Sequence, residues 1–246
     1  LLHKQHFGIL SDVISGDECD TCARLGKLVM PEQLKLLTTP KELKADLRPY
    51  QQEGLSWLHF LQSNNLGGCL ADDMGLGKTL QTLALLQWNR EQMLTRNTDS
   101  TVQTEPREQP GVRQMTLFDR NVPPATSLII VPASLCHNWH NEIRRFCPSM
   151  RTLIHYGAAR NRSASNLTGH DIIISSYHTV RQDIEIFTSI NFFYVVLDES
   201  QHIKNPTSHI YRAVMRLRAS HRLVLTGTPV ENSLTDLWTQ LNFVNP

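Results

Sequence analysis

The stretch Gly68-Cys69-Leu70-Ala71-Asp72-Asp73-Met74-Gly75-Leu76-Gly77-Lys78-Thr79 decides the fold. Gly68 to Ala71 is a short, largely apolar run and reads as a buried strand, and Thr79 to Trp88 follows with the periodicity of an amphipathic helix. Between them lies a glycine-bearing turn ending in Gly-Lys-Thr. Strand, glycine turn and helix together form the context in which such a run cradles phosphate. The glycines let backbone N–H groups close on an anion, and the helix N-terminus adds partial positive charge. Lys78 supplies a point charge for β- and γ-phosphates, and the Thr79 hydroxyl can ligate Mg²⁺. The general pattern has Gly six positions before the lysine. Asp72 stands there, so the loop is a variant of a P-loop.

Downstream, the same alternation repeats. Leu128–Val131, Asp171–Ile174, Phe193–Leu197 and Leu223–Leu225 are short, continuous and often β-branched, as strands covered on both faces must be. Leu135, Trp139, Ile143 and Phe146 form a helical stripe, and Leu234 to Phe243 reads the same way. Strands alternating with helices predict an α/β fold, a mostly parallel sheet with helices on both faces. Two stretches fall outside the alternation. Residues 1–45 have no clear period and read as the end of a preceding domain plus a linker. Residues 90–125 are polar, carry Pro106, Pro110, Pro123 and Pro124, and read as a largely disordered insertion into the lobe 46–246.

Composition excludes several classes. The chain has 246 residues, 40% apolar, with a formal net charge of +1. That is too apolar and too balanced for disorder throughout. Five cysteines are too sparse for a disulfide scaffold. No apolar run is long enough to span a membrane, and the start lacks a signal-peptide core, so a reducing, cytoplasmic location is expected. Balanced charge argues against a histone-like binder but not against a motor gripping phosphates at a few points. The first residue is not Met, and the chain reads as a piece of a longer one.

A phosphate loop needs a metal carboxylate at a nearby strand tip. Phe192 to Leu197 runs directly into Asp198-Glu199, which suits Asp198 to Mg²⁺ and Glu199 to polarising an attacking water. Pro132-Ala133-Ser134 and Ser175-Ser176-Tyr177 each sit where a strand ends and a helix begins, an edge at which phosphates bind without base selectivity. Ser134 can be a helix cap alone or a cap that also touches phosphate. Arg144-Arg145 and Arg160-Asn161-Arg162 can add grip or form a solvated face.

Four motifs occur in order: Leu47-Arg48-Pro49-Tyr50-Gln51-Gln52-Glu53-Gly54, then Asp72 to Thr79, then Asp198-Glu199-Ser200-Gln201, then Leu225-Thr226-Gly227-Thr228-Pro229-Val230-Glu231-Asn232. Together they resemble the first motor lobe of the Swi/Snf-type (sucrose non-fermenting) DNA translocase ATPases, a branch of helicase superfamily two, over roughly residues 46 to 246. Most relatives have Glu at the Asp73 position and His at the Gln201 position, and these departures point toward a bacterial subgroup.

The resemblance implies a RecA-like P-loop NTPase lobe using ATP and Mg²⁺. Gln51 would read the adenine edge. Asp73, Gly75, Gly77, Lys78 and Thr79 would hold phosphates and, through Thr79 and Asp198, the metal. Lys78, Asp198, Glu199 and Gln201 would form the catalytic set. Thr226 and Thr228 would couple it to DNA, and Ser134, Ser176 and Tyr177 would touch one DNA strand. The implied activity is ATP-driven translocation on duplex DNA that remodels protein–DNA complexes in the nucleoid. A second motor lobe would supply an arginine finger, so this lobe alone would be nearly inactive. A strand-separating DNA or RNA helicase and a silent nucleotide-binding scaffold are the alternatives.

Two weaker signals remain. His3, His6, Cys19 and Cys22 allow a zinc site or an unliganded remnant. Gln114-Met115-Thr116-Leu117-Phe118, apolar within a polar stretch, either folds back onto the lobe or docks elsewhere; it resembles the short peptides that bind the bacterial replication sliding clamp.

Overall fold

The computed structural model describes residues 34–73, 75–101, 126–227 and 234–246. Six strands build one sheet: β1 Gly68–Leu70, β2 Ser127–Val131, β3 Thr152–His155, β4 Ile172–Ser176, β5 Asn191–Leu197 and β6 Arg218–Leu225. Their order is β1-β6-β5-β2-β4-β3, and every pair is parallel.

Alternation along the strands shows how the sheet is covered. Ile129, Val131, Ile172, Ile174, Val196, Leu223 and Leu225 point to one face. There they pack with Leu55 and Leu58 of α1 (Pro49–Ser63), Leu83 and Leu85 of α2 (Lys78–Thr101), and Trp139 and Ile143 of α3 (Cys136–Phe146). Leu128, Ile130, Ile173, Val195, Leu197 and Val224 point to the other. They meet Leu167 of α4 (Ala164–Leu167), Val180 of α5 (Tyr177–Gln182), Phe187 of α6 (Ile184–Thr188), Val214 of α7 (His209–Met215) and Phe243 of α8 (Leu234–Val244). Neighbouring residues of one strand thus belong to different cores, as a doubly covered parallel sheet requires.

Three features differ from the sequence reading. β3 is an additional strand: it lies at the sheet edge with only His155 buried, so its apolar signal is weak. β6 begins at Arg218, five residues before the apolar run, because the polar stretch pairs with β5 and its His221 packs against Phe193 and Tyr194 at 5.3 and 5.1 Å. Helix α2 continues to Thr101, so residues 90–101 are helical rather than the start of a disordered insertion. Arg-Glu-Gln-Met-Leu is a run of good helix formers. Arg90 also pairs with Glu42 at 3.1 Å, and the Glu91 carboxylate accepts the backbone N–H groups of Lys41 and Glu42.

Packing of the lobe likewise starts before residue 46. Leu43 is buried in the core, and the Lys44 N–H donates to the Phe146 carbonyl at 2.7 Å. Residues 102–125, including Gln114 to Phe118, and residues 1–33, including His3, His6, Cys19 and Cys22, lie outside the described residues. No described helix is long and apolar enough to cross a membrane.

Candidate nucleotide site at the strand tips

The strand order decides where the site forms. β6 lies between β1 and β5, so the loop leaving β1 and the acids leaving β5 flank the tip of β6. Thr226, at that tip, is buried and donates its N–H to the Leu70 carbonyl at the root of the loop. Its neighbour candidate, Thr228, lies outside the described residues.

Gly75 and Gly77 have φ of +86° and +80°, values that L side chains avoid. At Gly77 a Cβ would also meet the Gln51 Nε2 at 2.5 Å. Gln51, buried, donates to the Leu76 carbonyl and accepts from the Arg48 N–H, while the Tyr50 hydroxyl donates to the same Leu76 carbonyl. The start of α1 is therefore pinned to the loop. Lys78 Nζ, at the head of α2, donates to the carbonyls of Asp72 and Asp73 at 2.6 and 3.1 Å. These partners are neutral, so the ammonium keeps its charge for an anion. The Asp72 carboxylate accepts from Gln81 on the same helix at 3.0 Å. This gives the variant position a local role: it braces the loop against α2.

Asp198 is held from several sides. Its Oδ2 accepts from the Trp139 indole N–H at 2.7 Å and its Oδ1 from the Glu199 N–H at 2.9 Å. Its backbone carbonyl accepts from the Tyr177 hydroxyl at 2.7 Å. Burial pushes its carboxyl above the ordinary range, against the pull of those donors and of Lys78. Glu199 adopts left-handed backbone, φ +49° and ψ +58°, unusual for a residue with a Cβ. Its carboxylate accepts from Gln201 Nε2 at 2.9 Å, and Gln201 Oε1 is buried with no protein partner. That leaves an acceptor beside the candidate base, suited to a water.

A further carboxylate stands here, which the sequence reading missed. Glu142 stands beside the Thr79 side chain, which draws its carboxyl down, and near enough to Asp198 to be repelled by it. Burial is the main cause of its raised pKa. The available signal was an acid three residues after Trp139, half-buried beside the buried stripe of α3. Hydroxyl and carboxylate oxygens are the hard donors Mg²⁺ prefers. Among the described residues no three His, Cys, Asp or Glu form a metal cage. This donor set therefore fits an ion shared with bound phosphates rather than one caged by protein alone.

The candidate DNA contacts divide. Ser134 is exposed, and the following helix is capped by Leu135 with no side-chain bond, so Ser134 is not its cap. Ser176 and Tyr177 are buried. Ser176 Oγ caps α5 by accepting from the Thr179 N–H, and Tyr177 is spent on Asp198. Strand-tip position alone does not show which way a side chain turns, and these two turn inward.

A doubly covered parallel sheet with a phosphate loop after β1 and an acidic pair after β5 is a P-loop nucleoside triphosphatase lobe of the RecA-like type. The SNF2-related domain profile matches residues 50–246, and the chain belongs to that family. It is 40% identical over 209 residues to the Aspergillus fumigatus TATA-binding protein-associated factor mot1, a match covering 84% of this chain and 10% of that protein. It is 35% identical over 222 residues to Bacillus subtilis YwqA, named as an ATP-dependent helicase/translocase, with 89% and 21% covered. The Sulfolobus solfataricus SWI2/SNF2 ATPase core in complex with double-stranded DNA superposes with a TM-score of 0.68 at 35% identity, over 86% of this chain and 38% of that one. The chain thus spans a minor part of each relative. The relatives include fungal and bacterial proteins, so the match does not select a bacterial subgroup.

Proposed function

We propose that this lobe binds ATP with Mg²⁺ and, within the whole protein, powers translocation along duplex DNA that remodels protein–DNA complexes. The observation that carries this reading is the facing of Lys78 and Thr79 at the head of α2 by Asp198 and Glu199 at the tip of β5, with the Lys78 charge acting on the Asp198 carboxylate. Lys78 and the loop N–H groups hold the phosphates. Thr79 and Asp198 hold the metal, which neutralises phosphate charge when bound. Glu199 takes the proton of the attacking water, and Gln201 fixes the Glu199 carboxylate through its Nε2. Gln51, already bonded to the loop, faces adenine with its remaining N–H. Thr226, with Thr228, links the site to the DNA face, where exposed Ser134 and the backbone at Ser176 and Tyr177 meet phosphates. A second motor lobe completes the site with an arginine.

The double-stranded DNA bound by the Sulfolobus solfataricus relative supports duplex DNA as the track. The test is ATP hydrolysis by the whole protein with duplex DNA, single-stranded DNA and RNA compared. Strongest stimulation by duplex is expected; strongest stimulation by RNA would replace the translocase reading with an RNA helicase. Residues 1–246 alone should hydrolyse ATP barely above background, since an arginine finger is worth roughly 10³–10⁵ in rate.

On sequence alone, Gln114 to Phe118 docks on a replication sliding clamp, with Leu117 and Phe118 filling an apolar pocket. Titration of a clamp with peptide 111–121 should show binding that Leu117→Ala with Phe118→Ala abolishes.

A further inference from the structure

The ATP-site reading above leaves one helix face unassigned. Trp139 and Glu142 lie one turn apart on α3, and each stands against a different candidate metal ligand: Trp139 hydrogen-bonds Asp198, and Glu142 lies beside Thr79. Trp139 is 3% exposed, yet its single polar atom reaches across 59 residues of sequence to a carboxylate oxygen at 2.7 Å. We propose that Trp139 and Glu142 are positioning residues for the nucleotide-bound magnesium.

The donor chemistry explains the pairing. An indole N–H can only donate, so it takes one lone pair of Asp198 Oδ2, while the Glu199 N–H takes one on Oδ1. With both oxygens tethered, the carboxylate cannot rotate, and its remaining lone pairs keep one direction. Thr79 presents the complementary case. A Thr79 hydroxyl turned to donate to Glu142 would point its lone pairs away from that carboxylate, leaving them for a cation. Two ligands on different elements, the head of α2 and the tip of β5, are thereby indexed to one rigid helix. Groups that orient metal ligands in this way commonly matter 10- to 100-fold in metal affinity.

The test uses the whole protein, an ATP analogue that is not hydrolysed, and Mn²⁺ as a spin probe titrated by electron paramagnetic resonance. Trp139→Phe keeps an aromatic ring, though a smaller one, and loses the N–H. It should weaken Mn²⁺ binding about tenfold or more, with nucleotide affinity in the absence of divalent metal unchanged. In an Asp198→Asn background the same substitution should add no further loss. Glu142→Ala should also weaken Mn²⁺ about tenfold, whereas Glu142→Gln, which retains an acceptor for Thr79, should restore most of it. Thermal unfolding of each variant checks the fold, and the Glu142 pair carries the test if Trp139→Phe is destabilised.

Unchanged Mn²⁺ affinity in Trp139→Phe and Glu142→Ala, equal losses in Glu142→Ala and Glu142→Gln, or additive losses on Asp198→Asn would each overturn the proposal. The readout needs neither DNA nor turnover. A wild-type protein that binds Mn²⁺–nucleotide but is not stimulated by DNA therefore sinks the translocase reading alone. One that binds no Mn²⁺–nucleotide sinks the ATP site and this proposal together.

Discussion

Two sequestered aspartates stand at opposite sides of this sheet and are treated in opposite ways. Asp183, at the start of α6, has two guanidinium groups beside it, Arg160 through two nitrogens and Arg162 at 3.5 Å, and the ring of the buried His155 at 2.9 Å. The Arg160 hydrogen bond holds its carboxyl below the ordinary range, against burial. Asp198 has neutral N–H donors and, at longer range, Lys78, and its carboxyl is pushed up instead. A charge that ties β3 to the loop at Arg160 is fully compensated. A charge meant to meet a metal and phosphates is left short of positive partners until they arrive, which is how functional carboxylates are told from structural ones.

The largest test of this contrast is on the functional side. Glu199→Gln in the whole protein should lower turnover by about 10²–10⁴-fold while ATP binding persists, because an amide cannot take the water's proton. Joint loss of binding and turnover in an equilibrium nucleotide titration would make Glu199 structural.

Asp183→Ala comes next. It strands Arg160 and His155, and the loss should be about 3–5 kcal/mol by denaturant unfolding. The pH sign follows from the lowered carboxyl. Its stabilisation is present above the ordinary carboxylate range and is lost as pH falls through the depressed folded value, so acid unfolding of wild type should be steeper than that of Asp183→Asn below about pH 4.

Asp198→Asn should behave conversely. A raised carboxyl favours the fold below its unfolded pKa, and that gain disappears as pH rises through the folded value. Removing the charge at neutral pH relieves the burial cost but turns an amide NH2 toward one of the two N–H donors on the carboxylate, so stability should change by no more than about 1–2 kcal/mol, while metal-dependent nucleotide binding is weakened. A loss as deep as that of Asp183→Ala would erase the distinction between the two sites. The smallest effect belongs to Arg162→Ala. That side chain is 64% exposed, and differential scanning calorimetry should register no more than about 0.5 kcal/mol.

The phosphate loop and the acidic pair were legible in sequence because each is local: an apolar run, then chemistry, at fixed spacing. Their partners were not. Trp139 read as a core residue, which its burial bears out, but the hydrogen bond to Asp198 joins separate elements and leaves no mark in either one's periodicity. β3 escaped because it is a four-residue edge strand: Leu153 and Ile154 pack against opposite cores but stay half-buried, and Thr152-Leu153-Ile154-His155 carries little apolar signal. Ser176 and Tyr177 were correctly placed at a strand tip, yet their side chains turned inward, because capping Thr179 and holding Asp198 satisfied groups that would otherwise be buried unpaired.

The left-handed backbone at Glu199 sets heat tolerance against work at this position. A residue with a Cβ gives up about 1–2 kcal/mol to sit there, whereas glycine sits there freely. Glu199→Gly should raise the unfolding midpoint of the lobe and leave it catalytically silent. A library screened only for survival at high temperature would then enrich for motors that endure and do not run.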